Sequence, residues 1–349
     1  MKIYDLIIIG GGQAGLSVAY FLRRSGLDYL ILDDQDEAGG AWLHYWDSLK
    51  LFSPTDYSSL SGWQMPETKE EYPLRDEFIA YLKAYEARYE FAVQRNTLVH
   101  RVTKDNALFK MATNNGNFYA KTVVSATGTA KNPYLPSYPN QSTYQGVQLH
   151  AVEYRNADLF KDQKVMIIGG GNSGAQILSE VSKIAKTTWV TLDPPQFLPE
   201  NIDGRYLFYQ ANSSFFDATT DSFNRQVSLS DIVRVESVRD GLERDVYHAV
   251  RPFASFYKEG VVWKNGDREI FDAVIWCTGF KPNLQHLEAL EVVENNHIAT
   301  KATRSIKEPQ LWLVGYGSWT GFASGTIYGV GKTARSTARE LKAHFKKRL

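Results

Sequence analysis

The fold of this chain hangs on its opening residues, Ile3-Tyr4-Asp5-Leu6-Ile7-Ile8-Ile9 followed at once by Gly10-Gly11-Gly12-Gln13-Ala14-Gly15. The apolar run has strand length and strand composition. The glycines lead into a helical pattern, with Leu16, Ala19, Tyr20, Leu22 and Arg23 ahead of Gly26. A second apolar run, Tyr29-Leu30-Ile31-Leu32, ends at Asp33. In such a β-α-β unit Gly10 permits the tight turn, Gly12 lets the backbone approach a pyrophosphate, and Gly15 lets helix and strand pack closely. The N–H groups and dipole at the helix start then favour an anion. Asp33 stands where a carboxylate accepts hydrogen bonds from ribose hydroxyls.

The same grammar returns further on. Val165-Met166-Ile167-Ile168 reads as a strand, Gly169-Gly170-Gly171-Asn172-Ser173-Gly174 as the turn, 175–184 as a helix, and Trp189-Val190-Thr191-Leu192 as a strand closed by Asp193. One such motif carries little weight, because a chain with 26 glycines in 349 residues supplies about 0.1–0.2 of them by chance. Two, each after a β-run and each with an Asp at its second strand end, carry far more. Gly169, Gly171 and Gly174 repeat the roles of Gly10, Gly12 and Gly15. Two units imply two cofactors, and the economical pairing is FAD in the first and a nicotinamide in the second. Asp193 repels a 2′-phosphate, and no Lys or Arg occurs from 187 to 204. That points to NADH, with NADPH accepted as well if Arg205 folds back.

Composition narrows the rest. At roughly 150 residues per domain the chain holds about two domains. Lys+Arg and Asp+Glu number 39 each, so the formal net charge is zero, which argues against a nucleic-acid or membrane-surface partner. The single cysteine, Cys277, excludes an intrachain disulfide, a Cys-based zinc site and a dithiol centre, and suits a reducing compartment. No run reaches the roughly 18 apolar residues of a membrane helix, and the N-terminal run ends in glycines rather than a cleavage site. The expectation is a cytoplasmic protein with no metal.

Between the two units lie an irregular aromatic stretch (42–72), a helix near 75–89, and a β-meander ending at Val123-Val124-Ser125-Ala126-Thr127-Gly128. Beyond the second unit, 195–256 resists reading. A strand pair at 261–263 and 269–271 leads to Ala273-Val274-Ile275-Trp276-Cys277-Thr278-Gly279. The tail, with a helix at 326–345, returns to the first domain.

Tyr144-Gln145-Gly146-Val147-Gln148-Leu149-His150-Ala151-Val152-Glu153-Tyr154 matches the FxGxxxHxxx[YW] fingerprint, with Tyr for the first Phe. On this motif the chain resembles the class B flavin-dependent monooxygenases, in their short, soluble bacterial flavin-containing form. The closing Tyr154 favours that branch over the Baeyer–Villiger one. Gly39-Gly40-Ala41-Trp42 resembles the family's GGxW, with Trp42 against the flavin. Trp46-Asp47-Ser48-Leu49-Lys50-Leu51-Phe52 resembles its Y-x-S-L-x-x-N segment. Ala126-Thr127-Gly128 and Cys277-Thr278-Gly279 resemble its two ATG-type strand ends, and 169–174 with Gln176 resembles GxGxSGx[DQ]. Three positions depart from the pattern: Phe52 replaces an Asn, Leu192 replaces an NADPH-binding Arg, and Gly315-Tyr316-Gly317 lacks a ribityl-contacting carboxylate.

The resemblance implies an α/β chain of two Rossmann-like dinucleotide-binding domains in a glutathione-reductase-like flavoprotein architecture. The FAD domain takes 1–155 and 283–349, and the NAD(P)H domain 156–282. It implies an NAD(P)H-dependent monooxygenase that reduces FAD. Through a C4a-(hydro)peroxyflavin it oxygenates sulfides and amines, with ketones as a further class and a homodimer as the assembly. The alternative is an NAD(P)H:FAD oxidoreductase without productive oxygenation. Phe52 and His150 are assigned to the catalytic step, His150 by positioning within an interdomain linker. The cofactor set comprises Gly10, Gly12, Gln13, Ala14, Gly15, Asp33, Gly40, Trp42, His44, Leu51, Phe52, Val99, Thr127 and Gly128 for the flavin side. Gly169, Gly171, Asn172, Ser173, Gly174, Gln176, Asp193, Cys277, Thr278 and Gly279 complete it. Trp319 and Phe322 are expected to roof the site.

Overall fold

The computed structural model describes residues 2–199, 231–321 and 323–346. Phe322, Arg205 and the 200–230 part of the 195–256 stretch therefore lie outside the described residues. The chain divides into two compact units: Met1–Leu43, Thr55–Asn132 and Lys281–Leu349 form the first, His44–Pro54 and Pro133–Phe280 the second. The expected α/β architecture with parallel sheets is present in both.

In the first unit β1 (Ile3–Ile9) pairs in parallel with β2 (Tyr29–Leu32) on one side and with β6 (Gly116–Ser125) on the other. Beyond β2 lies β3 (Val93–Gln94), and beyond β6 lies β19 (Leu311–Leu313), again parallel. The short strands β17 (Thr300–Lys301) and β18 (Arg304–Ser305) extend that edge, and β4 (Val99–Asp105) and β5 (Leu108–Thr113) build an antiparallel meander on β6. A further ladder joins β15 (Val293–Glu294) to β16 (His297–Ile298). Register aligns Ile9 with Leu32 and Ser125, and Ser125 with Leu313. The chain therefore leaves five parallel strands along one edge, with β1 between neighbours reached in opposite directions. That is the switch-point geometry where α/β sheets bind ligands. Both faces of β1 are buried, Leu6 to Ile9 being 4% exposed or less, and helices α1 (Gln13–Leu22) and α5 (Ile327–Lys346) pack together in the same unit.

The second unit carries a wholly parallel sheet ordered β10 (Ala249–Val250), β9 (Lys186–Val190), β8 (Lys164–Ile168), β14 (Ala273–Trp276), β7 (Val147–His150). Parallel strands covered on both faces read as continuous apolar runs, which is why Val165–Ile168 and Ala273–Trp276 were visible in the sequence. A three-stranded sheet, β11 (Ser255–Tyr257), β12 (Gly260–Val262) and β13 (Arg268–Ile270), supplies Phe256 and Val261 to the core beside Tyr144, Phe271 and Trp276. The unit begins before the expected boundary at 156, because the fingerprint residues themselves form edge strand β7 on β14, with Trp276 opposite His150. Two smaller differences have local causes. Helix α3 (Asn172–Val181) starts directly at the glycine turn and ends before 184. Strand β9 stops at Val190, beside the last residues of both its partners, Ile168 of β8 and Val250 of β10.

One buried group makes the first unit acid-sensitive. His286, 5% exposed, sits with Nε2 at 2.9 Å from Ser125 Oγ, and burial lowers its pKa to about 4. With the folded value below the ordinary 6.5, the unfolded chain binds the extra proton, so stability is full above about 6.5 and falls as pH drops toward 4. At pH 5 the deficit is about 2 kcal/mol. Thermal unfolding from pH 7.5 to 5 should show a falling midpoint, and His286→Gln should flatten that slope.

Candidate active site

The first glycine turn is built to bring backbone against backbone. Gly10 has φ +105°, and a Cβ there would lie 2.6 Å from Ala126 O. A Cβ on Gly40 would lie 2.7 Å from Gly12 Cα. The GGxW segment thus closes on the turn and leaves a cradle of main chain. Trp42 Nε1 donates to Gln13 Oε1 at 3.1 Å, and Gln13 Nε2 donates to Gly325 O at 3.1 Å, so Gln13 ties the turn to Trp42 and to the start of α5. Ala14 is buried. The strand end after β6 is fixed too: Thr127 Oγ1 donates to Asn283 O at 2.8 Å, and Gly128 O accepts from Asn283 N at 3.0 Å. A close-packed backbone cradle at a helix start is a set of groups that could hold the diphosphate of a dinucleotide.

Asp33 closes β2, 4% exposed. Burial pushes its carboxyl up, and the Arg95 guanidinium bound to it pulls the other way. Arg95 also pairs with Glu86. Asp33 is therefore a seated carboxylate. Val99 lies at the start of β4 and packs in the apolar core with Val102, Phe109 and Met111.

The second turn repeats the construction. Gly169 has φ +134°, and a Cβ there would overlap Cys277 O. The turn is braced by Trp189 Nε1, which donates to Gly169 O at 2.8 Å. Cys277 N donates to Ile168 O at 2.7 Å, Thr278 Oγ1 donates to Tyr134 O, and Gly279 O accepts from Tyr134 N at 2.9 Å. Gly171 caps α3, with Ser173 and Gly174 in its first turn. Asn172 spends its amide on the backbone: Oδ1 accepts from Val233 N at 2.9 Å and Nδ2 donates to Asp231 O at 3.1 Å. Asp193 is exposed just past β9. Parallel strand ends, a glycine turn and a helix N-terminus suit a second dinucleotide.

The remaining expected residues are less alike. His150 is 1% exposed, with Nδ1 accepting from Val152 N at 3.2 Å and Nε2 facing Gly279 O at 3.0 Å. Burial holds it neutral by lowering its pKa, so it staples the fingerprint to the 277–279 strand end. Gly146 owes its place to packing, since a Cβ would lie 2.6 Å from Asp272 O. His44, Leu51 and Phe52 belong to the second unit. The His44 carbonyl accepts from Arg155, Leu51 is buried, and Phe52 is half-buried. Gln176 is 5% exposed, and its carboxamide is bonded to the Lys50 backbone.

Sequence reasoning missed three residues. Arg95 follows a two-residue strand too short to register. Tyr316, read from the resemblance only as the lack of a carboxylate, turns inward, its hydroxyl 2.5 Å from Ser125 Oγ and 2.7 Å from Thr127 Oγ1. Arg251 follows β10, whose register sets Val250 beside Val190. Its Nη1 donates to Thr191 O at 3.0 Å and Oγ1 at 2.9 Å. A cation thus stands two residues from Asp193, although none lies near it in sequence. Trp319 packs on Tyr316, with ring centroids 5.6 Å apart.

Residues 7–315 match the family model described as pyridine nucleotide-disulphide oxidoreductase. A flavin-containing monooxygenase from Stenotrophomonas maltophilia is 43% identical, with 99% of each chain covered and a TM-score of 0.91. The chain belongs to the flavin-containing monooxygenases. The uncharacterized oxidoreductase CzcO of Bacillus velezensis is 30% identical over 97% of this chain and 99% of its own. The probable indole-3-pyruvate monooxygenase YUCCA1 of Arabidopsis thaliana is 27% identical over 81% of this chain and 77% of its own. This monooxygenase is a flavin-dependent oxidoreductase whose one cysteine cannot form an intrachain disulfide. Burial pushes the Cys277 thiol up to about 12, so it is no thiolate at neutral pH. Among the described residues no helix is long and apolar enough to cross a membrane, and no cluster of side chains is suited to a metal ion.

Proposed function

We propose that this monooxygenase binds FAD at the turn at 10–15 and NADH at the turn at 169–174, with NADPH the weaker donor. Its substrates are soft nucleophiles, sulfides and amines first and ketones as a further class, in the cytoplasm and as a homodimer. The observation that carries the reading is the pair of like-built glycine turns on parallel strand ends, in a chain 43% identical to a flavin-containing monooxygenase. Held at the turn at 10–15, FAD would supply a hydride acceptor for the reduced nicotinamide and a reductant for O2, which is the chemistry that putting one oxygen atom into substrate and the other into water requires. The chain supplies binding and orientation: the glycine turns seat the diphosphates, Asp33 and Asp193 receive ribose hydroxyls, and neutral His150 holds the 277–279 strand end. No side-chain nucleophile is required.

Phe52, standing for an amide-bearing residue, favours a second reading as an oxidoreductase that releases peroxide. Mixing the reduced enzyme with O2 and a thioether in a stopped-flow instrument separates the two. A sulfoxide formed in step with NADH consumed supports oxygenation, and stoichiometric peroxide without product supports the oxidoreductase.

Donor choice rests on opposed charges at the end of β9. Asp193→Ser should raise the NADPH:NADH ratio of kcat/KM about tenfold, and Arg251→Ala should lower it by a similar factor, since a charge-assisted hydrogen bond to a phosphate is worth about 1.5–3 kcal/mol. Steady-state kinetics with both donors reads this directly. An unmoved ratio in both variants takes the pair out of the ribose site.

A further inference from the structure

Residues 44–54 come early in the chain, ahead of most of the first unit, yet they are part of the second. Their attachment is specific. Gln176 Oε1 accepts from Lys50 N at 3.2 Å, and Gln176 Nε2 donates to Lys50 O at 3.1 Å. One carboxamide thereby satisfies both backbone groups of one residue, as a neighbouring strand would. One helical turn on, Glu180 accepts from the Ser48 hydroxyl, and Lys50 Nζ pairs with Glu236 at the start of α4 (Glu236–Glu243). Asp47 N donates to Arg155 O at 3.0 Å. Gln176 and Glu180 are spaced i, i+4, so a single face of α3 carries the segment. The same helix presents its N-terminus at the turn at 169–174.

We propose that Gln176 is a positioning residue that makes 44–54 an appendage of the nucleotide-binding helix, so that dinucleotide bound at the turn orders the segment carrying Leu51 and Phe52. The inference rests on the nucleotide reading of the second turn. A ligand that fixes the first turn of α3 suppresses its local opening, and groups bonded to that helix share the suppression. Gln176 then acts through the helix and the segment, without touching a cofactor.

Hydrogen–deuterium exchange of the flavin-loaded enzyme, with and without saturating NAD+, tests this. The expected result is slower exchange both in 169–181 and in 44–54. In Gln176→Leu the turn keeps its protection by NAD+ while 44–54 loses it, and the Lys50 amide exchanges roughly tenfold faster, as the loss of one hydrogen bond predicts. Gln176→Glu keeps the acceptor for Lys50 N, so that amide should stay closer to wild type than in Gln176→Leu. The fraction of NADH lost as peroxide should rise in Gln176→Leu. Protection of the turn without 44–54 in the wild-type enzyme overturns the proposal and leaves the nucleotide reading intact. Protection of neither overturns both.

Discussion

Purified Gly15→Ala protein is expected to be colourless. A Cβ at Gly15 overlaps the carbonyl oxygen of Gly10. That oxygen cannot step aside, because Gly10 is held by its N–H to Leu32 O at 2.8 Å and by a positive φ. Helix α1 must therefore lift from β1, displacing the N-terminal N–H groups on which the proposed flavin site depends. Overpacking of this kind costs about 1–3 kcal/mol in stability, and the loss in flavin affinity adds to it because the binding groups are what moves. Gly174→Ala makes the same clash with the Gly169 carbonyl but in the other unit. It should stay yellow and lose NADH-driven flavin reduction by about a hundredfold, the cost of roughly 2.7 kcal/mol of binding. The ratio of flavin to protein absorbance, followed by anaerobic reduction with NADH, reads both variants. If Gly174→Ala emerges colourless and Gly15→Ala keeps its flavin, the two cofactors have been assigned to the wrong turns.

The second large effect belongs to Arg95. Its guanidinium pairs with Asp33 and Glu86, whose side chains are 4% and 18% exposed. Arg95→Met leaves the Asp33 carboxylate buried without its cation, and breaking a buried pair from one side costs about 3–5 kcal/mol. For a chain of this size that is a fall of roughly 4–7 °C in the thermal midpoint. Burial already favours the protonated form of Asp33, so the deficit of Arg95→Met should shrink as pH is lowered from 7 toward 5. Adding Asp33→Asn should recover most of the midpoint without restoring tight FAD binding, because the neutral amide accepts less strongly from ribose hydroxyls. A double-mutant cycle that came out additive would mean the pair does not interact.

Much of the molecule was legible in its residues because the informative parts are local. The glycine turns announce themselves: strand, turn and helix are contiguous, and the backbone approaches that demand glycine lie within one short stretch. Parallel strands buried on both faces are likewise continuous apolar runs. What stayed hidden depends on register between distant strands. Arg251 reaches Thr191 because Val250 happens to pair with Val190, and no local pattern encodes that alignment. Arg95 follows a strand of two residues. Tyr316 read as a lost carboxylate, whereas its hydroxyl belongs to a buried set with Ser125, Thr127 and His286. The fingerprint at 144–154 was recognised as a pattern, but its physical reason was not visible. Tyr144 donates to Phe271 O at 2.8 Å, and Gly146 packs against the next carbonyl. Gln176 suggested a ligand contact by its place in the motif, and its amide faces Lys50 instead.

The order in which the chain visits its two units also bears on biogenesis. Translation emits part of the first unit, then an eleven-residue contribution to the second (44–54), then more of the first, then the bulk of the second, and closes with α5 of the first. Neither unit can mature on the ribosome before the other is largely made, and a fragment cut at 133–280 would lack the backbone that Gln176 satisfies. Gene fusions or excised pieces that treat either unit as a cassette should give insoluble products, and nonsense alleles late in the gene should be null even when both glycine turns are encoded.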